Sequence, residues 1–217
     1  MASSADAMGA VPSGAVSPGT TLPEDRIQRH AGVDRLFHWL TAASVITLMA
    51  TALLPILGVR FDWTPIHWVT GLVLTALVVF HLLRSMAWRK LRSIWFSAGE
   101  LRGTNVGKYS VAQKLMHHAM TLMVLSAVVT GLLMLKKIKT PLMTRDPYVF
   151  GFDTWGVIYV IHGLAALAAV TLVIIHVYFA LIPENRMYLR AMIRGWITRQ
   201  DQRARLAENA WLDKKTP

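Results

Sequence analysis

The chain contains no cysteine. Disulfides, iron–sulfur clusters, covalent attachment of a c-type haem and thiol nucleophiles are therefore excluded as devices of the chain itself. It is also poor in charge. Of 217 residues 16% are charged and 54% apolar, with a mean hydropathy of +0.41, where an ordinary soluble domain has about a quarter of its residues charged. Negative charge is scarcest: 12 Asp and Glu stand against 23 Lys and Arg, a net charge of +11. In a water-soluble chain that excess suggests nucleic acid, but here the basic residues are confined between long apolar runs and report membrane topology instead. Residues 1 to about 25, rich in Ala, Ser, Gly and Pro, lack the basic start and continuous apolar core of a signal peptide. They read as a disordered tail on the cytoplasmic side.

Four apolar runs follow, roughly Leu36–Gly58, Pro65–Leu83, Leu115–Leu135 and Trp155–Ile182. Each is long enough for a helix to cross a hydrocarbon core, which takes about 20 residues. Lys and Arg on the side of the termini and the 84–114 loop number 18, against five on the other side, so the positive-inside rule places both termini in the cytoplasm. The predicted fold is all-α, a transmembrane four-helix bundle over residues 26–200, with a polar tail over 201–217. The predicted location is a bacterial inner membrane, with lipid around the bundle. The third and fourth runs are joined by an 18-residue periplasmic connection holding Pro141, Pro147 and Gly151, long enough to form a surface for a partner.

Seven of the eight histidines fall within or at the ends of the apolar runs: His38, His67, His81, His117, His118, His162 and His176. Ionisable side chains at membrane depth are costly and mark coordination, pairing or conduction. His162 and His176 are 14 residues apart, close to four helical turns, so they project from nearly one face about 21 Å apart along the axis. His67 and His81 repeat the spacing on the antiparallel second run. Neutral imidazole is a good axial ligand for haem iron, and a four-helix bundle can clamp a macrocycle between histidines of facing helices. On the periplasmic side only His67 and His162 are available to pair. On the cytoplasmic side His38, His81, His117, His118 and His176 compete; His176 is set by its offset from His162, and depth leaves His38 as the first choice of partner and His81 as the reserve.

The plainer readings stand beside these. A lone intramembrane His is more often a helix-to-helix hydrogen bond than a ligand, and that reading leads for His117 and His118, which point about 100° apart, although one could line a quinone pocket. Gly71, Gly131 and Gly163 permit close approach of either a flat ligand or a neighbouring helix. The tryptophans at the run boundaries read as an aromatic belt.

The segments RLFHW (35–39), PIHWVTG (65–71), VGKYSVAQK (106–114) and VIHGLAALAAVTLVIIHVY (160–178), followed by the basic amphipathic YLRAMIRGWITR, resemble the cytochrome b (gamma) subunit of respiratory formate dehydrogenases. That subunit belongs to a wider group of four-helix di-haem membrane cytochromes that includes hydrogenase and thiosulfate reductase b subunits. The resemblance covers about Arg35 to Arg203. It implies two haem b groups, held by His38 with His176 on the cytoplasmic side and by His67 with His162 on the periplasmic side. It further implies a quinone, menaquinone or ubiquinone, reduced near the cytoplasmic haem by the segment before the third run, which here offers Ser110 and Gln113. Ser110 and Ala112 stand where formate dehydrogenase relatives usually carry Asn and Gly, and His81 is additional.

With no cysteine and no dinucleotide fingerprint, the chain has no means of oxidising a substrate by itself. Electrons are expected from a partner iron–sulfur subunit attached to a catalytic subunit, passing through both haems to quinone. Arg35, Arg84 and Lys114 are candidate counter-charges for haem propionates or quinone, although positive-inside topology explains them equally. The alternatives are a stand-alone di-haem quinone and superoxide oxidoreductase, and a haem-free membrane anchor or transporter.

Overall fold

The computed structural model describes residues 25–87 and 110–204. The tail expected over 1–25 except Asp25, the loop residues 88–109 with the VGKY segment, and residues 205–217 lie outside the described residues.

Four long helices carry the fold: α1 (Gly32–Ile56), α2 (Trp63–Ala87), α3 (Val111–Met134) and α4 (Phe152–Leu181). All four are long and apolar enough to cross a membrane. In hydrocarbon a main-chain N–H or C=O finds no partner outside its own segment, so an apolar run of this length is driven to the helix. The hydroxyls within the runs meet the same demand: Ser44, Thr75, Ser126 and Thr171 each donate to the carbonyl one turn earlier.

Local chemistry sets the ends. At the end of α1, Gly58 takes φ +87°, while the N–H of Val59 donates to Leu54 and that of Gly58 to Pro55. This pair of bonds around a left-handed glycine satisfies the last carbonyls and turns the chain toward α2. At the start of α3, the Ser110 hydroxyl accepts from the N–H of Gln113 at 3.2 Å and the Gln113 side-chain oxygen accepts from the N–H of Ser110 at 3.0 Å. This reciprocal cap occupies two of the otherwise unpaired donors at a helix start.

The helices form two hairpins, α1 against α2 and α3 against α4, which meet through α1–α4 and α2–α3 contacts. Their interior is built on small and flexible side chains. Ala165 and Ala169, one turn apart on α4, pack on Met123 of α3, with Met49 of α1 at the border. Small residues let helices approach where lipid removes the hydrophobic drive between them. The outward faces carry exposed Ile46, Val73, Leu122 and Leu164, apolar side chains suited to lipid.

The connection from α3 to α4 is organised by its own bonds. Asp146 donates its N–H to Lys136, Arg145 Nε donates to the Lys137 carbonyl, and the Trp155 indole donates to Pro147. Lys137 Nζ lies 4.6 Å from the Trp155 ring centre.

Beyond α4 a turn at Pro183–Asn185 leads into α5 (Arg186–Arg194), closed by Gly195 at φ +91°. The fold is mostly helical, as expected, with one short two-stranded addition. Strand β1 (Arg26–Gln28) pairs antiparallel with β2 (Trp196–Thr198), setting Ile27 opposite Ile197. The Arg26 guanidinium covers the Trp196 ring at 4.0 Å. The segments flanking the bundle thus meet at one end of it, and their main-chain groups pair with each other. Residues 199–204 are helical, with Thr198 and Asp201 capping reciprocally.

Candidate functional site

Four histidines face one another across the seam between the hairpins. His38 of α1 lies opposite His176 of α4, with ring centres 6.3 Å apart, and His67 of α2 lies opposite His162 of α4, also at 6.3 Å. A ligating imidazole nitrogen lies about 2 Å from its metal and the ring centre about 1.1 Å behind the nitrogen, so two rings trans on one metal have centres about 6 Å apart. Imidazoles hydrogen-bonded directly, nitrogen to nitrogen at about 2.9 Å, would bring the centres to about 5 Å. The spacing of both pairs therefore suits an atom between the rings.

Two imidazoles do not complete the shell of a bare ion. Among the described residues no group of three or more His, Cys, Asp or Glu is placed to hold one. A pair of this kind suits an iron whose remaining ligands come from a macrocycle, so the residues present fit haem.

The second pair is braced by hydroxyls. Thr51 Oγ1 of α1 is 2.8 Å from His67 Nδ1, and Thr130 Oγ1 of α3 is 2.8 Å from His162 Nδ1. Both threonines are buried, at 3% and 6% exposure. In the first pair, His38 Nδ1 is buried without a hydrogen-bond partner among the described residues. Nothing in the sequence pattern singles out these threonines from the other intrahelical hydroxyls; their place opposite the histidines depends on the register between helices.

The glycines divide. A Cβ on Gly131 would meet the His162 ring at 3.4 Å, whereas one on Gly71 or Gly163 would meet no described atom within 4 Å. Gly131 thus lets the His162 ring lie close against α3. Gly71 and Gly163 do not serve close helix packing among the described residues.

The remaining candidates lie around these pairs. His81 is stacked on Phe37, with ring centres 4.6 Å apart and planes 14° from parallel; it is not one of the two facing pairs. His117 and His118 meet edge to face, and His118 Nδ1 bonds the Lys114 carbonyl. Arg35 donates from Nη1 to the Ile193 carbonyl at 2.7 Å, while its Nε is buried without a partner among the described residues. Arg84 pairs with Asp34, tying the end of α2 to the start of α1. Lys114 is buried at the start of α3. Ser110 and Gln113 are engaged with each other's main chain, a cap readable in the sequence as Ser-x-x-Gln.

The sequence model of the prokaryotic cytochrome b561 family matches residues 29–195, a span that includes all four facing histidines. The chain is also similar to the cytochrome b556(fdo) subunit of formate dehydrogenase from Escherichia coli strain K12, being 25% identical over 212 residues that cover 89% of this chain and 91% of that protein. It is 22% identical to the formate dehydrogenase cytochrome b556 subunit of Haemophilus influenzae over 195 residues, covering 81% of this chain and 78% of that one.

Proposed function

The chain belongs to the prokaryotic cytochrome b561 family, and from that premise we propose that it is the membrane-anchoring, di-haem subunit of a formate dehydrogenase-like respiratory complex. The observation that carries the reading is the pair of facing imidazole sets, each at 6.3 Å, on helices long enough to span a membrane. In this reading His38 and His176 hold one b haem, and His67 and His162 hold the other. Haem bound at these positions supplies one-electron carriage between a partner iron–sulfur subunit and membrane quinone.

The protein's own contribution is placement. His162 and His176 stand on one helix about 21 Å apart, so a single rigid element spaces the two positions across the membrane. The neutral imidazoles would hold haem without adding charge at membrane depth. The excess of Lys and Arg on the terminal side, 18 against five, supports cytoplasmic termini in a bacterial inner membrane. In this reading the His38 and His176 end faces the cytoplasm and the 135–151 connection faces the periplasm, where it would meet the iron–sulfur subunit with its catalytic subunit. Quinone, menaquinone or ubiquinone, would be reduced at the cytoplasmic end, near Ser110 to Gln113, drawing protons from that side. The assignment to formate is supported by the names of the two relatives.

The test is mild detergent purification from the native host, followed by a pyridine haemochrome assay and mass spectrometry. Two non-covalent b haems per chain and co-purifying iron–sulfur and catalytic subunits are expected. One haem or none, or a chain isolated without partners, would refute the reading.

A further inference from the structure

We propose that Thr51 and Thr130 are positioning residues that set the tautomer, orientation and donor strength of His67 and His162, so that one haem position is held by hydrogen-bonded imidazoles on both sides. The inference rests on the two-haem reading above and adds to it the device that makes the two positions unequal.

The arrangement is duplicated between the hairpins. Thr51 on α1 reaches His67 on α2, and Thr130 on α3 reaches His162 on α4, each at 2.8 Å. Each threonine bonds across its own hairpin to the histidine that faces the other hairpin. A hydroxyl has one hydrogen to give. Thr51 Oγ1 has the Thr47 and Leu48 carbonyls at 2.9 and 3.0 Å, and Thr130 Oγ1 has the Ser126 and Ala127 carbonyls at 2.6 and 3.3 Å. With that hydrogen on a carbonyl, the oxygen accepts the imidazole Nδ1–H. The lone pair is then on Nε2, the atom left to ligate iron.

Every hydrogen has an acceptor in this arrangement, which matters in a site where an unpaired polar group is costly. A second partner on a ligating imidazole fixes its tautomer and ring plane and raises its basicity. A more basic axial ligand favours the oxidised metal. Among the described residues His38 lacks such a partner, since its Nδ1 is buried and unbonded. The threonines would therefore lower the potential of the His67 and His162 position relative to the other, favouring electron movement from it toward the His38 and His176 position.

The experiment uses the full chain in its complex and the variants T51V, T130V, T51S and T130S. Valine keeps the branched shape and removes the hydroxyl; serine keeps the hydroxyl. The readouts are haem per chain, spectroelectrochemical midpoint potentials and low-temperature electron paramagnetic resonance of the ferric haems. Each valine variant is expected to cut the preference for ferric haem at that position by up to about tenfold, which raises its potential by up to about 59 mV for a one-electron couple, and to shift its ferric resonance. The other haem stays in place with its potential unchanged, which reports an intact bundle, and the serine variants restore the wild-type values. Loss of the haem from a valine variant that serine restores supports the proposal equally. Two haems whose potentials and resonances do not move in T51V or T130V would overturn the threonine role alone, as would equal shifts in the valine and serine variants. A wild-type complex without two b haems would overturn the underlying reading and this inference with it.

Discussion

Replacing His162 with Ala removes one imidazole of a pair whose ring centres are 6.3 Å apart and leaves His67 without its facing imidazole. Thr130 loses its imidazole contact but keeps the Ser126 carbonyl at 2.6 Å, so no polar group of α3 is orphaned. Groups separated by more than about 10 Å without shared partners respond independently, and His176 stands about 21 Å along the same helix. The expected outcome is therefore a clean halving: haem content falls from two per chain to one. In the purified complex, the pyridine haemochrome assay gives that stoichiometry, and a reduced-minus-oxidised spectrum shows which component persists. Retention of the His38 and His176 haem is also the internal proof that the bundle has formed. Loss of both haems, or of neither, would refute the reasoning, the first by showing that the positions are not independent and the second by removing His162 as a ligand.

Two further outcomes separate the remaining assignments. His38→Ala is expected to lose the second haem while His81→Ala retains it, since His38 faces His176 whereas His81 is stacked on Phe37; the haem assay decides, and the opposite pattern would exchange their roles. A quinone-analogue inhibitor is expected to shift the spectrum or potential of the His38 and His176 haem alone, while Ser110→Ala slows quinone reduction with both haems still reducible by the partner. Because Ser110 also caps α3, and loss of such a cap costs about 1 kcal/mol, Ser110→Thr serves as the control that keeps the cap; an inhibitor acting on the His67 and His162 haem would reverse the proposed direction of electron flow.

The spanning helices were legible because hydrocarbon leaves an apolar run no other way to satisfy its main chain, and the apolar boundaries fall within about a turn of the helix ends. The spacing of His162 and His176 was legible for a related reason: helical periodicity converts 14 residues into one face and a fixed rise. What periodicity does not carry is the relation between helices. Sign and position make Arg35 and Arg84 candidate counter-charges, with positive-inside topology an equal explanation, but they do not show that Arg84 pairs with Asp34 or that a nitrogen of Arg35 bonds the Ile193 carbonyl. Those partners are 50 and 158 residues away in the chain, beyond any local pattern. The β1–β2 ladder was equally hidden. Its strands are three residues long, too short to show an alternation, and they form because the bundle brings the two flanking segments to the same end.

The threonines show the limit most clearly. Thr51 and Thr130 bond their own helix one turn back, as do Ser44, Thr75, Ser126 and Thr171, so along the chain nothing distinguishes them. They differ only in what lies across the hairpin. Each hydroxyl oxygen still has an acceptor position after its hydrogen is spent, and only at these two positions among the described residues does the register put a histidine nitrogen 2.8 Å from it. A serine or threonine in such a helix thus meets a histidine through its neighbour's helix and not through its own. The same register that brings His67 and His162 to face each other also supplies each of them with a hydroxyl from behind.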